Sequence, residues 1–142
     1  MAEITSLLDL VQRILDHIED GTLRSGFEEP VHRGSASGFT CVVGDERDPE
    51  SLLLVVRLQV VRVPAGMDAA GRLRERLLAL NHQLRGRAAF SESPEGIVCL
   101  TAGRPVEDLD PGEVIDLILW TSEQADAYDD ILIGEFGDDV RI

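Results

Sequence analysis

The chain reads as a single α+β domain, an antiparallel sheet with helices packed on it, in the order α-β-β-β-α-β-β-α. Three observations predict this. Apolar residues recur at helical spacing in three separate stretches. Between them, period-two runs punctuated by glycine and proline come in a group of three and then a group of two. No internal repeat or linker divides the 142 residues. Grouped strands flanked by helices favour antiparallel pairing over parallel crossovers. A chain of this length buries roughly 68–70% of the surface it exposes when unfolded, so its core needs no staples.

The first helix runs from Ile4 to Ile18, where Ile4, Leu7, Leu8, Val11, Ile14, Leu15 and Ile18 recur at steps of three and four. Asp9, Gln12, Arg13 and Asp16 lie opposite, and Gly21 with the polar segment through Gly26 ends it. From Glu29 to Val63 the period becomes two, with Gly34, Gly38 and the stretch Gly44-Asp45-Glu46-Arg47-Asp48-Pro49 as breaks. Three strands fit: Val31–Arg33, Phe39–Val43 and Leu52–Val63. In the last, Leu52, Leu54, Val56, Leu58 and Val60 share a core face, while Arg57 and Gln59 interrupt the other.

Asp68 is placed to cap a second helix that ends near Leu84 and carries a core stripe of Ala70, Leu73, Leu77, Leu80 and Leu84. Leu78 projects away from that stripe. A hairpin follows, Arg87–Ser91 and Ile97–Ala102, joined by Ser93-Pro94-Glu95-Gly96 with proline and glycine where a type I turn wants them. The last helix has Asp110 at its cap, Pro111 in its first position and Glu113 completing a capping box. Val114, Ile115, Leu117, Ile118, Leu119 and Trp120 leave only Asp116 polar, so its first turns must be covered on more than one side. It continues through Ala125, Tyr128 and Leu132 to about Glu135, and the acidic tail from Gly137 to Ile142 is expected to fray.

The formal net charge is −14, and all thirteen basic residues are arginines spread along the chain. Such a chain repels phosphate backbones and anionic lipid, so neither nucleic acid nor membrane is an expected partner. The N-terminus lacks the basic and apolar regions of a signal peptide, and no apolar run approaches the ~20 residues that span a bilayer. A cytoplasmic location is expected. Cys41 and Cys99 each stand inside an apolar run, where buried free thiols are the expectation.

No constellation for chemistry emerges. His17, His32, His82, Cys41 and Cys99 are dispersed over five predicted elements without ligand-pair spacing, so no metal or other cofactor is expected. Asp108 to Glu113 superficially resembles a calcium loop, but helix capping already accounts for Asp110 and Glu113. Gly34-Ser35-Ala36-Ser37-Gly38 leads into a strand and lacks the helix N-terminus of a phosphate loop or nucleophile elbow. The pairs Glu28-Glu29, Asp129-Asp130 and Asp138-Asp139 fall in polar segments, where neighbouring acids are ordinarily solvated surface. The expectation is a protein that is not an enzyme.

What remains is surplus apolar surface. Leu78, opposite its helix's core stripe, and Trp120, on nearly the same side as Asp116, are the candidates for a protein–protein contact. For Trp120 the alternative is packing at the rim of its own core. A homodimer would cover this surface economically.

The stretch from Leu77 to Gly137 resembles the YbjN and type III secretion chaperone-like superfamily. The likeness lies in Leu77-Leu78-Ala79-Leu80-Asn81, then the hairpin, then Pro105-Val106-Glu107-Asp108-Leu109-Asp110-Pro111, then Ala125-Asp126-Ala127-Tyr128-Asp129-Asp130 and the closing Phe136-Gly137. Upstream, the first helix and three strands fit the same plan. The resemblance implies a cytoplasmic, acidic, usually dimeric protein without catalytic residues. Chaperones of this fold wrap an extended effector segment around apolar patches; YbjN-type relatives are described as bacterial sensory-transduction regulators. The Tyr128-Asp129-Asp130 and Phe136-Gly137 ending leans toward YbjN.

Overall fold

The computed structural model describes residues 28–34, 36–45, 48–106 and 109–142. The helix expected over Ile4–Ile18 lies outside the described residues. The elements are β1 (Glu28–Arg33), β2 (Ala36–Asp45), β3 (Asp48–Arg62), α1 (Met67–Leu84), β4 (Ala89–Glu92), β5 (Ile97–Pro105), α2 (Pro111–Phe136) and a 3₁₀ turn at Asp138–Val140. The class is α+β. Among the described residues the strands form one open sheet in the order β1-β2-β3-β5-β4, every pairing antiparallel. α1 carries the chain from β3 to the far edge, and the β4–β5 hairpin then returns β5 to pair with β3.

β3 is the longest strand and sits centrally because one of its faces is almost wholly apolar. Leu54, Val56, Leu58 and Val60 are buried there, while Arg57 and Gln59 alternate outward. The alternation then breaks, with Val60 and Val61 both buried. A bulge explains it: Gln59 faces Cys99 and Val61 faces Val98, so β3 carries one extra residue and turns both valines toward the core.

Both helices cover this one face. α1 buries Ala70, Leu73, Leu77 and Leu80, as its stripe predicts, and α2 buries Val114, Leu117, Ile118, Ala125 and Leu132 in the same cluster. Ile115, Leu119 and Trp120 are partly buried against that cluster, so the early turns of α2 are covered on more than one side. The Asp110 carboxylate accepts the Glu113 N–H at 2.8 Å, and Pro111 opens the helix.

Three expectations are corrected. Asp68 is not the cap of α1: Gly66 is, in extended conformation, and Ala70 N–H already bonds its carbonyl at 2.8 Å. Asp68 falls one residue inside, where its charge complements the positive helix end. β4 begins at Ala89 rather than Arg87, because α1 ends through left-handed Arg85 (φ 55°) and Gly86 (φ 80°). The tail does not fray. Gly137 (φ 87°) donates its N–H to Ile133 O at 2.7 Å, Val140 is fully buried, and Arg62 Nε donates to Arg141 O at 3.1 Å. One apolar residue in an acidic segment suffices to dock it on β3.

Thr40 is fully buried on β2 opposite Val56, and its hydroxyl has no hydrogen-bond partner among the described residues. An unsatisfied buried hydroxyl costs about 1–3 kcal/mol, whereas a methyl of the same shape does not. Thr40→Val is therefore expected to stabilise the protein by about 1 kcal/mol, read as a higher urea midpoint at unchanged slope. An unchanged or lower midpoint would show the hydroxyl to be satisfied in solution.

Candidate functional site

The two residues singled out for contact have different surroundings. Leu78 is 70% exposed, although Leu77 and Leu80 beside it are buried. Trp120 is half-buried, packed against the core on one side and covered on the other by Arg87, whose guanidinium carbon lies 3.9 Å from the ring centre. The packing against the core is the rim position that the sequence offered as the alternative for Trp120. Leu78 is not among the residues lining the cavity beside Trp120.

That cavity, of about 220 Å³, is built by three elements. The turn after α1 supplies Gly86 and Arg87, the end of β5 supplies Gly103 and Arg104, and α2 supplies Asp116, Leu117 and Trp120. Asp116 and Trp120 share a helix face through their four-residue spacing. Asp116 is the hub: its carboxylate accepts from Arg104 Nη2 at 3.1 Å and from Arg87 Nη2 at 3.3 Å. Glu113, one turn earlier, lies 3.7 Å from Arg104 Nη1. The four side chains balance in charge and are each about a third to a half exposed. Gly86 and Gly103 place backbone, not side chains, at the rim. The chemistry on offer is electrostatic: two planar cationic forks, one of them stacked on an indole.

No family model matches the chain, and no curated protein matches it.

A second cavity, of about 290 Å³, lies beside α2 and is lined by Ser37, Gln59, Val60, Asp129, Arg141 and Ile142. The sequence suggests a solvated Asp129, but its side of α2 faces the sheet and it is 5% exposed. Nearby, Gly34 (φ 56°) sits so close to the Asp126 carboxylate that a side chain there would overlap it. Two acids of α2 therefore meet the turn region between β1 and β2, a role that the string of acids in the sequence does not announce.

The sheet face away from α1 and α2 carries cross-strand rows. Phe39 faces Arg57, which faces Thr101; Cys41 faces Val55, which faces Gly103. Phe39 is 49% exposed, and Arg57 Nε donates to Thr101 Oγ1 at 3.2 Å. Both cysteines lie on this face, outside any disulfide and half-buried rather than in the core, because alternation on β5 gives the core to Val98 and Leu100 instead. Burial pushes the Cys99 thiol up from its ordinary value, partly offset by Arg57. The thiolate that reactive cysteines need is thereby disfavoured. Among the described residues no three His, Cys, Asp or Glu side chains converge to hold a metal, and no helix is long and apolar enough to cross a membrane.

Proposed function

We propose that the protein is a non-enzymatic regulator or adaptor of YbjN type on a secretion chaperone-like fold. It acts in the cytoplasm as a homodimer and binds another protein or a peptide. The observation that carries this reading is Leu78, 70% exposed on the outer side of α1. A leucine left in water forgoes about 1.5–3 kcal/mol of burial that a partner surface would recover. The order of the described elements, β-β-β-α-β-β-α, supports the likeness to the superfamily.

Light scattering after size exclusion tests the dimer. Wild type is expected at about twice 15.5 kDa and Leu78→Glu at the monomer mass with unchanged circular dichroism. A Leu78→Glu protein that stays dimeric would remove Leu78 from the interface, and a monomeric wild type would remove the dimer.

Two other readings each have an observation in their favour. The sheet face bearing Phe39, 49% exposed and free of both described helices, suits a secretion chaperone that receives an extended effector segment, which would then resist protease in the complex. The polar cavity at Ser37, Gln59, Asp129 and Arg141 suits a small-molecule sensor or an enzyme using a cleft beside the last helix. Native mass spectrometry of the purified protein would reveal its retained ligand.

A further inference from the structure

We infer that the outer face of the C-terminal turns of α2 docks a cationic amphipathic helix of a partner protein. The inference deepens the protein-binding reading and rests on it.

Ala127, Ile131 and Gly134 stand four and three residues apart and so form one stripe along α2. All three are exposed, and Ile131 keeps 44% of its surface in water. A side chain added at Gly134 would meet nothing within 4 Å, so the helix surface beside Ile131 is open to a partner's side chain. The stripe runs about 10 Å along the helix axis, which matches anchors on successive turns of a second helix.

The charge around the stripe selects its occupant. From Glu123 to Asp139 the chain holds seven acids and no basic residue. Glu123 and Asp130 are exposed and border the stripe. Glu135 pairs with Arg76 and Asp138 with Arg141, but Asp130 and Asp139 have no ion pair among the described residues. α2 ends without a basic residue in its last turn, and Asp138 and Asp139 follow directly. That end of a helix carries partial negative charge and is stabilised by cations, so the arrangement is locally unfavourable until positive charge is brought to it. A metal ion does not fit the part, because among the described residues no three acids, histidines or cysteines converge to hold one. The cations must arrive spread along a scaffold that also offers apolar side chains to Ile131. A second copy is excluded, since it would set the same acids against each other. At longer range the net charge of −14 draws a basic partner in and repels an acidic one.

The full chain is titrated into a fluorescein-labelled peptide of about 14 residues, with leucine at helical spacing and lysine elsewhere, and anisotropy is read. Saturable binding is expected, at least about tenfold tighter than that of a scrambled peptide of the same composition. The version with glutamate in place of lysine is expected not to bind. Ile131→Ser, and separately Asp130→Asn with Asp139→Asn, are each expected to weaken the lysine helix about tenfold. Asp68→Asn with Glu95→Gln changes the net charge equally on exposed residues elsewhere and is expected to weaken it less than about twofold. Equal weakening by the two double variants, or a scrambled peptide that binds as tightly, would reduce the effect to overall charge and overturn the inference. Absence of binding would overturn it too, and a changed oligomer mass in Ile131→Ser would assign the face to a second copy instead. The parent reading is judged apart, by the wild-type oligomer mass and the Leu78→Glu variant, which do not involve α2.

Discussion

Gly38→Ala is expected to destabilise the protein by about 3 kcal/mol or more, the upper end for forcing atoms into a packed structure. Gly38 lies in β2 between Val31 of β1 and Leu58 of β3. A methyl group on it would overlap the Arg57 carbonyl oxygen and lie 2.7 Å from the Leu58 Cα. Both obstacles are backbone of the central strand, which is paired on its other side to β5 and cannot retreat. Gly103 supplies the internal control. It faces Val55 across the same strand, yet a methyl there would meet Leu54 O and Val55 Cγ2 at 3.4 Å, ordinary contact. Gly103→Ala is expected to change stability by less than about 1 kcal/mol. Urea midpoints of the two variants check this, and similar values for both would mean that β2 relaxes away from β3.

The sequence carries much of this arrangement, and the places where it falls short have physical causes. Period two on β3 and the leucine stripe on α1 identify the core, because one-sided burial imposes a repeat that survives in one dimension. Asp110 and Pro111 mark the start of α2 because capping is local chemistry. The bulge at Val60 has no such signature, since it depends on the register of β5 against β3. The apolar runs around Cys41 and Cys99 suggest buried thiols, yet both are half-buried, because an apolar run does not say which face of a strand a residue takes. Val140 was missed because its burial comes from docking of the tail and not from periodicity.

For the candidate site the division is similar. Leu78 was legible as the leucine out of step with its stripe, and its 70% exposure follows directly. Trp120 was legible beside Asp116 through the helical repeat. Arg87 and Arg104 were not, because they come from a turn and a strand end whose convergence on α2 is purely tertiary. The buried Asp129 was hidden by its neighbour: Asp130 is solvated, and only the azimuth of α2 over the sheet separates the two acids.

Asn81→Leu is expected to cost about 2–4 kcal/mol and to convert the protein to species larger than its wild-type assembly. β4 is an edge strand of the described sheet, and an uncovered edge pairs with other chains. Asn81, projecting from α1, closes it by acting as a surrogate strand. Its Oδ1 accepts the Phe90 N–H at 2.6 Å and its Nδ2 donates to the Phe90 carbonyl at 3.2 Å. Arg74 fastens the helix to the same strand through two bonds to the Glu92 carboxylate, at 2.8 and 3.0 Å. Leucine would keep the volume but orphan both Phe90 groups, each worth about 1–3 kcal/mol when buried without a partner. Asn81→Asp retains an acceptor for the N–H but turns its second oxygen against the Phe90 carbonyl, so it is expected to cost about as much as Asn81→Leu. Urea denaturation gives the energies, and light scattering as a function of concentration gives the association. If Asn81→Leu were as stable as wild type and unchanged in mass, the edge would be protected by the body of α1 alone, and the amide at position 81 would be dispensable.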